Sequence, residues 1–306
     1  MKETRVVAGV DGSDEALLAV QAATLDAARR GCGLKLVHAF VWPELRIPTG
    51  PPAGGPPQAG LRHEAARFLD DAAKVAAHAD PRIPITTEVI TGAPARVMLR
   101  QAHEAEVLVL GSRGLGGFTG LLVGSTAVQV AAHSPVPVLV IRSSVAPSGA
   151  EQEGAALGAA QAVAALGAER DGPVVLGVDG SPESTAAVAE GFAEADRRGA
   201  ELLAVHTWNR PLVYDADDVE GEERRVLSEA LSGYQGKSPD VKVTERVFQR
   251  RPAPTLVELS RTAQIVVVGS RGRGGFKGLL LGSVSQQLLH HAECPVLVVP
   301  RVSIVD

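Results

Sequence analysis

A glycine-rich segment in the first half of this chain has the composition of an anion-binding loop. It reads GSRG at residues 111–114, and Gly124 and Ser125 follow after a further nine residues. Backbone N–H groups that lead into a helix N-terminus form a concave site, and phosphate is its usual occupant. Asp11, which ends an apolar run and precedes Gly-Ser, supplies an acidic group. We interpret it as a ligand-binding carboxylate; a general base and a turn-and-cap residue remain the alternatives.

The same pattern occurs a second time in the chain. The segment VVAGVDGS at residues 6–13 returns as VVLGVDGS at 174–181, and 12 of 15 positions agree between residues 111–125 and 269–283. Agreement of this extent predicts that one domain has been duplicated.

The domain boundaries follow from where the repeat is interrupted. We predict one domain at residues 1–142, a linker at 143–172 and a second domain at 173–306. The first copy is longer because residues 43–60, rich in proline and glycine, form an insertion that predicts a mobile loop. Its acidic counterpart, residues 209–221, resembles a calcium loop, but valine and glutamate stand where an EF-hand needs a ligand and a glycine.

Short β-branched runs alternate with longer helical patterns in both copies. This alternation predicts parallel strands joined by helices, and hence an open α/β sheet. In such sheets, ligands bind beyond the carboxyl ends of the strands, where the strand order reverses. The predicted strands are Arg5–Val10, Leu34–Val41, Ile85–Ile90, Val107–Leu110 and Val136–Ile141, then a run from Val174, Glu201–Trp208, Val241–Phe248, Ile265–Val268 and Val296–Val299.

The first helix of each copy has recognisable ends. Ser13 is a good N-cap, and Gly31 ends the helix in the first copy. The second copy offers Ser181 as the cap, Pro182 as the first helical residue and Gly199 as the end. The positions at helical spacing in the first copy are Leu17, Gln21, Leu25 and Ala28.

The overall composition argues against several classes of protein. The 306 residues carry a net charge of −5, whereas a free nucleic-acid binder would have a basic excess. The two cysteines are too few for a secreted disulfide framework, and no apolar stretch reaches the roughly 18 residues of a membrane span. The N-terminus also lacks the apolar region of a secretory signal. We therefore expect a cytoplasmic protein that binds neither nucleic acid nor a membrane.

The spacing GxxGx9G(S/T), found twice with a strand-end aspartate each time, resembles the ATP-binding form of the universal stress protein family. The resemblance covers nearly the whole chain apart from the linker and the proline-rich loop. It implies two tandem domains of the adenine nucleotide alpha hydrolase-like type, each with five parallel strands in the order 3-2-1-4-5. ATP, with or without Mg²⁺, would bind in the cleft between the first and fourth strands of each domain.

The resemblance also implies which residues hold the nucleotide. Val10 and Asp11 would contact adenine and ribose, with Ala39 closing on the base. The GSRG loop would line the ribose and phosphates, and residues 124–126 would hold the polyphosphate. The implied sites are Val10, Asp11, Ala39, Gly111, Ser112, Arg113, Gly114, Gly124, Ser125 and Thr126 in the first copy, and Val178, Asp179, Thr207, Gly269, Ser270, Arg271, Gly272, Gly282, Ser283 and Val284 in the second.

The fifth predicted strand of each copy is apolar on both faces, and the implied strand order places it at a sheet edge. An exposed apolar edge favours pairing with another strand. In the family this strand mediates dimerisation, so the resemblance implies an intrachain pseudo-dimer. Two chains associating as a homodimer is the further option.

The second copy departs from the first in its charges. Arg250 and Arg251 follow its third strand, and Arg273 and Lys277 enter its glycine loop. We hypothesise that the second site holds anions more firmly; the alternative is that these are solvated surface charges.

Other histidines and a cysteine could in principle be catalytic or bind a metal, but they are interpreted as structural residues. His38 and His206 occupy equivalent positions and are predicted to be packing residues. His290 and His291 are adjacent, so on a helix they point about 100° apart and do not form a metal pair. Cys294 aligns with a valine and is predicted to be a small buried hydrophobe rather than a nucleophile.

The sequence thus favours a stress-response regulator that binds ATP in two sites, without assigned catalytic or metal-binding residues. No Walker-type GxxxxGK(S/T) and no GxSxG or HExxH motif is present. One alternative is slow ATP hydrolysis or autophosphorylation, with Asp11 or Asp179 orienting water and Arg113 or Arg271 stabilising the developing charge. The other is an interaction module that binds no nucleotide.

Overall fold

The backbone forms ten strands and at least eight α-helices in the part of the chain that the structure describes. The structure is a computed structural model, and it describes residues 4–41, 58–114, 123–142, 171–208, 219–273 and 281–301. The strands are β1 Arg5–Gly9, β2 Gly33–Phe40, β3 Ile85–Thr91, β4 Ala105–Gly111, β5 Val138–Ile141, β6 Val174–Val178, β7 Leu202–Thr207, β8 Val243–Phe248, β9 Ile265–Gly269 and β10 Val296–Val299. The helices are α1 Asp14–Arg30, α2 Gln58–Ala79, α3 Pro94–Gln101, α4 Ser125–His133, α5 Thr185–Arg198, α6 Val219–Gln235, α7 Pro252–Leu259 and α8 Ser283–His291.

All ten strands belong to one sheet. Their order is β3-β2-β1-β4-β5-β10-β9-β6-β7-β8, which gives each half the predicted order 3-2-1-4-5. Every pairing within a half is parallel. Two apolar layers, one on each face of the sheet, run through both halves. The predicted α/β open-sheet fold is confirmed.

The two halves are joined through their fifth strands. β5 and β10 pair antiparallel, with Val138 opposite Val298 and Val140 opposite Val296. All residues of both strands are buried. The apolar edges therefore cover each other within the chain, as the intrachain pseudo-dimer requires.

The helix ends of the two copies differ in one respect. Ser13 caps α1 as predicted, since its Oγ accepts a hydrogen bond from Ala16 N at 3.1 Å. The prediction for the second copy is wrong by one turn: Pro182–Ser184 is a 3-10 turn, and α5 begins at Thr185. The hydroxyl of Ser181 makes no capping hydrogen bond, although it donates to Asp179 Oδ1 at 2.7 Å as Ser13 does to Asp11.

The buried face of α1 is not the one that Leu17, Gln21, Leu25 and Ala28 suggest. Those residues are only partly buried, whereas the completely buried positions include Val20, Ala23 and Ala27. Alanine fits on this face because the helix lies very close to the sheet. A Cβ added to Gly111 would stand 3.0 Å from the backbone of Glu15.

Several predicted boundaries shift in the structure. The fifth strand begins at Val138 rather than Val136, because Val136 N and O both hydrogen-bond to Ser134 Oγ and form a turn. Helix α2 begins at Gln58, so the last residues of the predicted loop at 43–60 are helical. The remainder of that loop, residues 43–57, lies outside the described residues, as do 143–170 of the predicted linker. Among the described helices, none combines the length and apolarity needed to cross a bilayer.

A buried group of charges crosses the contact between α1 and α5. The Arg30 guanidinium lies 2.7 Å from Asp26, 2.9 Å from Glu194 and 3.2 Å from Glu190, so one arginine of the first half binds two carboxylates of the second. Two arginines of the second half join the group: Arg197 Nη2 lies 2.5 Å from Glu190 and 2.6 Å from Glu194, and Arg198 Nε lies 2.8 Å from Glu194. The side chains of Asp26 and Glu194 are each only 2% exposed. Buried charges of this kind require partners on every side.

The environment of this cluster shifts its pKa values in opposite directions. Burial raises the pKa of the Asp26 carboxyl, and the neighbouring Glu194 raises it further. Burial acts in the same sense on Glu194, but the guanidinium groups of Arg198, Arg197 and Arg30 outweigh it and lower the pKa of Glu194 from 4.5 to about 2. The same carboxylates raise the pKa of Arg30 against the effect of its burial. Arg30 thus remains charged.

We expect Arg30→Met to lower the free energy of unfolding by about 3–5 kcal/mol, because the buried Asp26 carboxylate loses its ion-pair partner and Glu190 and Glu194 lose one of theirs. Urea unfolding at neutral pH measures the change. Arg82→Met is the control: Arg82 pairs with Asp80 at 2.8 Å, but its side chain is 84% exposed, so little change is expected. Equal effects of the two substitutions would contradict the role of the cluster.

The lowered pKa of Glu194 also predicts a pH dependence. A carboxyl whose pKa is lower in the folded chain stabilises that chain above its ordinary pKa and loses this effect as the pH falls. The stability difference between the native chain and Glu194→Gln should therefore narrow between about pH 4.5 and 2. Urea titrations at several pH values measure it, and a difference that stays constant across this window would contradict the assignment.

Candidate functional site

A cavity of about 510 Å³ opens at the carboxyl ends of β1 and β4. This is the place where the strand order of the first half reverses, because β1 pairs with β2 on one side and β4 on the other. All ten site residues expected in the first copy line it. The full lining comprises Gly9, Val10, Asp11, Ala16, Val37, Ala39, Pro94, Met98, Leu110, Gly111, Ser112, Arg113, Gly114, Val123, Gly124, Ser125, Thr126 and Ala127.

The acidic group of the cavity is held against the glycine loop. Asp11 Oδ1 accepts hydrogen bonds from Ser13 N at 3.0 Å and from Ser13 Oγ at 2.6 Å, which fixes the carboxylate after β1. A methyl group added to Gly114 would overlap Asp11 Oδ2. The loop can therefore approach the carboxylate only because residue 114 has no side chain.

The first turn of α4 faces the same cavity. Gly124 is the N-cap of this helix, and its N–H donates to Ser112 O at 2.7 Å. Ser125 and Thr126 begin the helix, where backbone N–H groups lack intrahelical partners and the helix dipole is positive. This side of the cavity is suited to an anion.

The opposite wall is apolar, and the sequence reasoning found only part of it. Val37 and Ala39 come from β2, while Pro94 and Met98 come from α3. Pro94 begins α3 and Met98 lies one turn later on the same face, a spacing visible in the sequence. What the sequence did not reveal is that this helix packs over the end of β2.

Glu15 is a further residue that the sequence reasoning missed. Its carboxylate accepts hydrogen bonds from Ser112 Oγ at 3.1 Å, from Arg113 N at 2.6 Å and from Arg113 Nε at 2.7 Å. Glu15 has a visible signal, an acidic residue in the first turn of a helix, but that position is also explained by the helix dipole alone.

The second half repeats the arrangement around Asp179. Its carboxylate accepts hydrogen bonds from Ser181 N at 2.9 Å, Ser181 Oγ at 2.7 Å and Arg273 N at 2.7 Å. Burial raises the pKa of Asp179, but these hydrogen bonds outweigh it, so the pKa lies below its ordinary value. A methyl group on Gly272 would overlap Asp179 Oδ2, as in the first copy.

The remaining expected residues of the second half lie on the corresponding elements. Val178 and Thr207 end β6 and β7, and Gly269 ends β9. Gly282 caps α8 and donates from its N–H to Ser270 O at 2.7 Å. Arg271 follows Ser270 and is exposed, while Ser283 and Val284 begin α8.

The two equivalent histidines lie behind the strand-end aspartates. His38 Nδ1 is 2.8 Å from Val10 O, and His206 Nδ1 is 2.7 Å from Val178 O. His206 Nε2 also lies 2.7 Å from Glu223. Both rings therefore support the strand end that precedes the aspartate, as packing residues would.

The charged residues peculiar to the second copy lie in different places. Arg250 is exposed and pairs with Glu258 at 3.3 Å. The guanidinium of Arg273 lies against Gly180, on the turn that follows Asp179, and Lys277 lies outside the described residues. Cys294 is 1% exposed, which fits a buried packing residue.

The family model of the Universal stress protein family matches residues 3–142 and 172–300. The chain belongs to this family. A universal stress protein of Mycobacterium tuberculosis is 38% identical over 307 residues, covering 97% of each chain. Another, from Mycolicibacterium smegmatis, is 35% identical over 311 residues and covers 98% of each chain.

Solved structures show the same fold at lower identity. A universal stress protein from Archaeoglobus fulgidus superposes with a TM-score of 0.68 at 18% identity, covering 98% of this chain and 97% of that one. A second, described as a putative universal stress protein from Pseudomonas aeruginosa, gives a TM-score of 0.58 at 16% identity and covers 98% and 93%. Tandem universal stress protein units thus account for nearly the whole chain.

We expect Gly114→Ala to lower the free energy of unfolding by about 1–3 kcal/mol, because the new methyl group overlaps Asp11 Oδ2. Gly233→Ala is the matched control. Gly233 lies in α6 with no atom within 4 Å of an added Cβ, so this change should stabilise the chain by about 0.5–1 kcal/mol. Thermal and urea unfolding measure both, and a neutral Gly114→Ala would contradict the tight contact.

Proposed function

We propose that this universal stress protein binds adenine nucleotides, ATP with or without Mg²⁺ among them, in two sites, one in each half. We further propose that it acts in the cytoplasm as a regulator rather than as a metabolic enzyme. One observation supports the proposal most strongly: four separate segments that share no local structure meet around one cavity. Its apolar wall suits the base of an adenosine phosphate, its carboxylate suits the ribose, and its glycine loop and helix N-terminus suit the phosphates.

The chemistry of each part supports this occupant. An apolar wall formed by Val37, Ala39 and Met98 suits the faces of a base. The Asp11 carboxylate can accept hydrogen bonds from ribose hydroxyls, since an ionised carboxylate offers about four lone-pair sites. The α4 N-terminus suits phosphate oxygens. A volume of about 510 Å³ is within the range of small-molecule sites.

Binding explains Asp179 better than catalysis does. A general base works best when its pKa lies near the working pH. The pKa of Asp179 is shifted the other way, below its ordinary value, by hydrogen bonds from Ser181 and Arg273. A carboxylate with a lowered pKa can still accept hydrogen bonds from hydroxyl groups, but it is a weak base for removing a proton from water.

The proposal extends to domain organisation and assembly. We propose domains at residues 1–142 and 173–306 that fold onto one shared sheet. Because β5 and β10 already pair with each other, a homodimer of this chain would need a surface other than its fifth strands.

Single substitutions of the two aspartates test the two-site proposal. We expect Asp11→Ala and Asp179→Ala each to reduce bound nucleotide from two to one per chain, and the double variant to abolish binding. Calorimetric titration with ATP and AMP, together with chromatography of a denatured extract, measures the stoichiometry. Asp71→Ala is the control, since Asp71 pairs with Lys74 on the exposed face of α2.

Absence of any adenine nucleotide binding by the correctly folded native chain would overturn the proposal and favour an interaction module. Release of ADP or phosphate from ATP at a rate that both aspartate substitutions abolish would favour an enzyme instead.

A further inference from the structure

The hydrogen-bond donors at the floor of the first site are already occupied by an acid of the same chain. Glu15 Oε2 accepts from Ser112 Oγ and Arg113 N, and Glu15 Oε1 lies 2.7 Å from Arg113 Nε and 2.5 Å from Arg113 Nη2. Two adjacent guanidinium donors on one carboxylate oxygen make a strong charge-assisted pair. The Glu15 side chain is only 12% exposed and that of Arg113 is 40% exposed, so solvent screens this pair in part.

These donors are the ones that an anionic ligand would otherwise use. Ser112 and Arg113 both line the cavity, and Arg113 is the one basic residue among the described lining residues. Glu15 neutralises that charge, and Asp11 adds a negative charge on the same side. Attraction for phosphate then comes mainly from the N-terminus of α4, whose effect is worth less than a full charge.

We propose that Glu15 is a specificity-determining residue that makes the first site favour adenine nucleotides with few phosphate charges over ATP. The inference rests on the proposed function. A triphosphate must either compete with the Glu15 carboxylate for Arg113 or bind beside it, and both arrangements bring like charges together in a partly buried place. Adenosine and AMP avoid most of that repulsion.

The local sequence offers a close control for this idea. Asp14 precedes Glu15 in the first turn of α1, is exposed, and carries the same charge close to the same helix N-terminus. If ATP is disfavoured only by the general negative electrostatic field at this end of the sheet, Asp14→Asn and Glu15→Gln will change ATP affinity equally. If it arises from the contact with Arg113, only Glu15→Gln will act.

The experiment titrates ATP, ADP, AMP and adenosine into the full chain by calorimetry. All variants carry Asp179→Ala, which is expected to abolish binding by the second half and so leaves the first site to be measured. We expect Glu15→Gln to tighten ATP binding by about tenfold, to affect AMP less and to leave adenosine unchanged, because only the charge differs between the two side chains. We expect Asp14→Asn to change no affinity by more than about twofold, as is usual for an exposed charge.

Each other outcome bears on the inference in a definite way. Unchanged or weaker ATP binding by a folded Glu15→Gln variant overturns it, and so does an equal gain for ATP and adenosine. Equal gains from the Asp14 and Glu15 substitutions overturn it as well. Failure of the native chain and of both variants to bind any of the four compounds rejects the proposed function itself. Thermal unfolding of each variant separates loss of binding from loss of fold.

Discussion

The antiparallel pairing of β5 with β10 is the interaction that the rest of the molecule depends on. Both strands are apolar on both faces and would be edges in an isolated half, where unpaired backbone groups and exposed valines are unfavourable. Their pairing makes one ten-stranded sheet and brings α1 of the first half against α5 of the second. The charged cluster around Arg30 lies at that contact, so hydrogen bonds in the sheet and ion pairs above it fix the same arrangement.

The candidate sites depend on a different constraint, the absence of side chains at a few positions. Gly114 and Gly272 let the backbone of each glycine loop reach an aspartate that ends a strand. The turn after each aspartate also uses glycine: Gly12 and Gly180 have φ values of 89° and 71°, where other residues are strained. The geometry of each site therefore requires glycine at these positions.

The strand order and the ten residues that line the first cavity were expected from the family resemblance, which could be recognised because its motif is local in sequence and occurs twice. Strand ends, glycines and helix caps are adjacent in sequence, and the repeat fixes which of them correspond. Residues whose role arises from packing between distant segments could not be found in this way. Met98 reaches the cavity only because α3 lies over β2, and Glu15 meets Arg113 only because α1 packs against β4. The helical spacing of Leu17 and Leu25 likewise did not show the buried face of α1, which four alanines share with Leu18 and Val20.

The contact between α1 and α5 shows what fusion of two copies makes available. In an assembly of identical subunits, any change at a self-complementary surface appears on both sides at once. Here Glu190 stands where the first copy has Ala22, and it faces Arg30 without a reciprocal acid on the other side. Phe68, which covers Gly12, is likewise matched by the smaller Val226, and Arg273 shares the space over Gly180. After gene duplication the two halves need not remain identical. Each half can therefore acquire different residues while the β5–β10 pairing between them is retained.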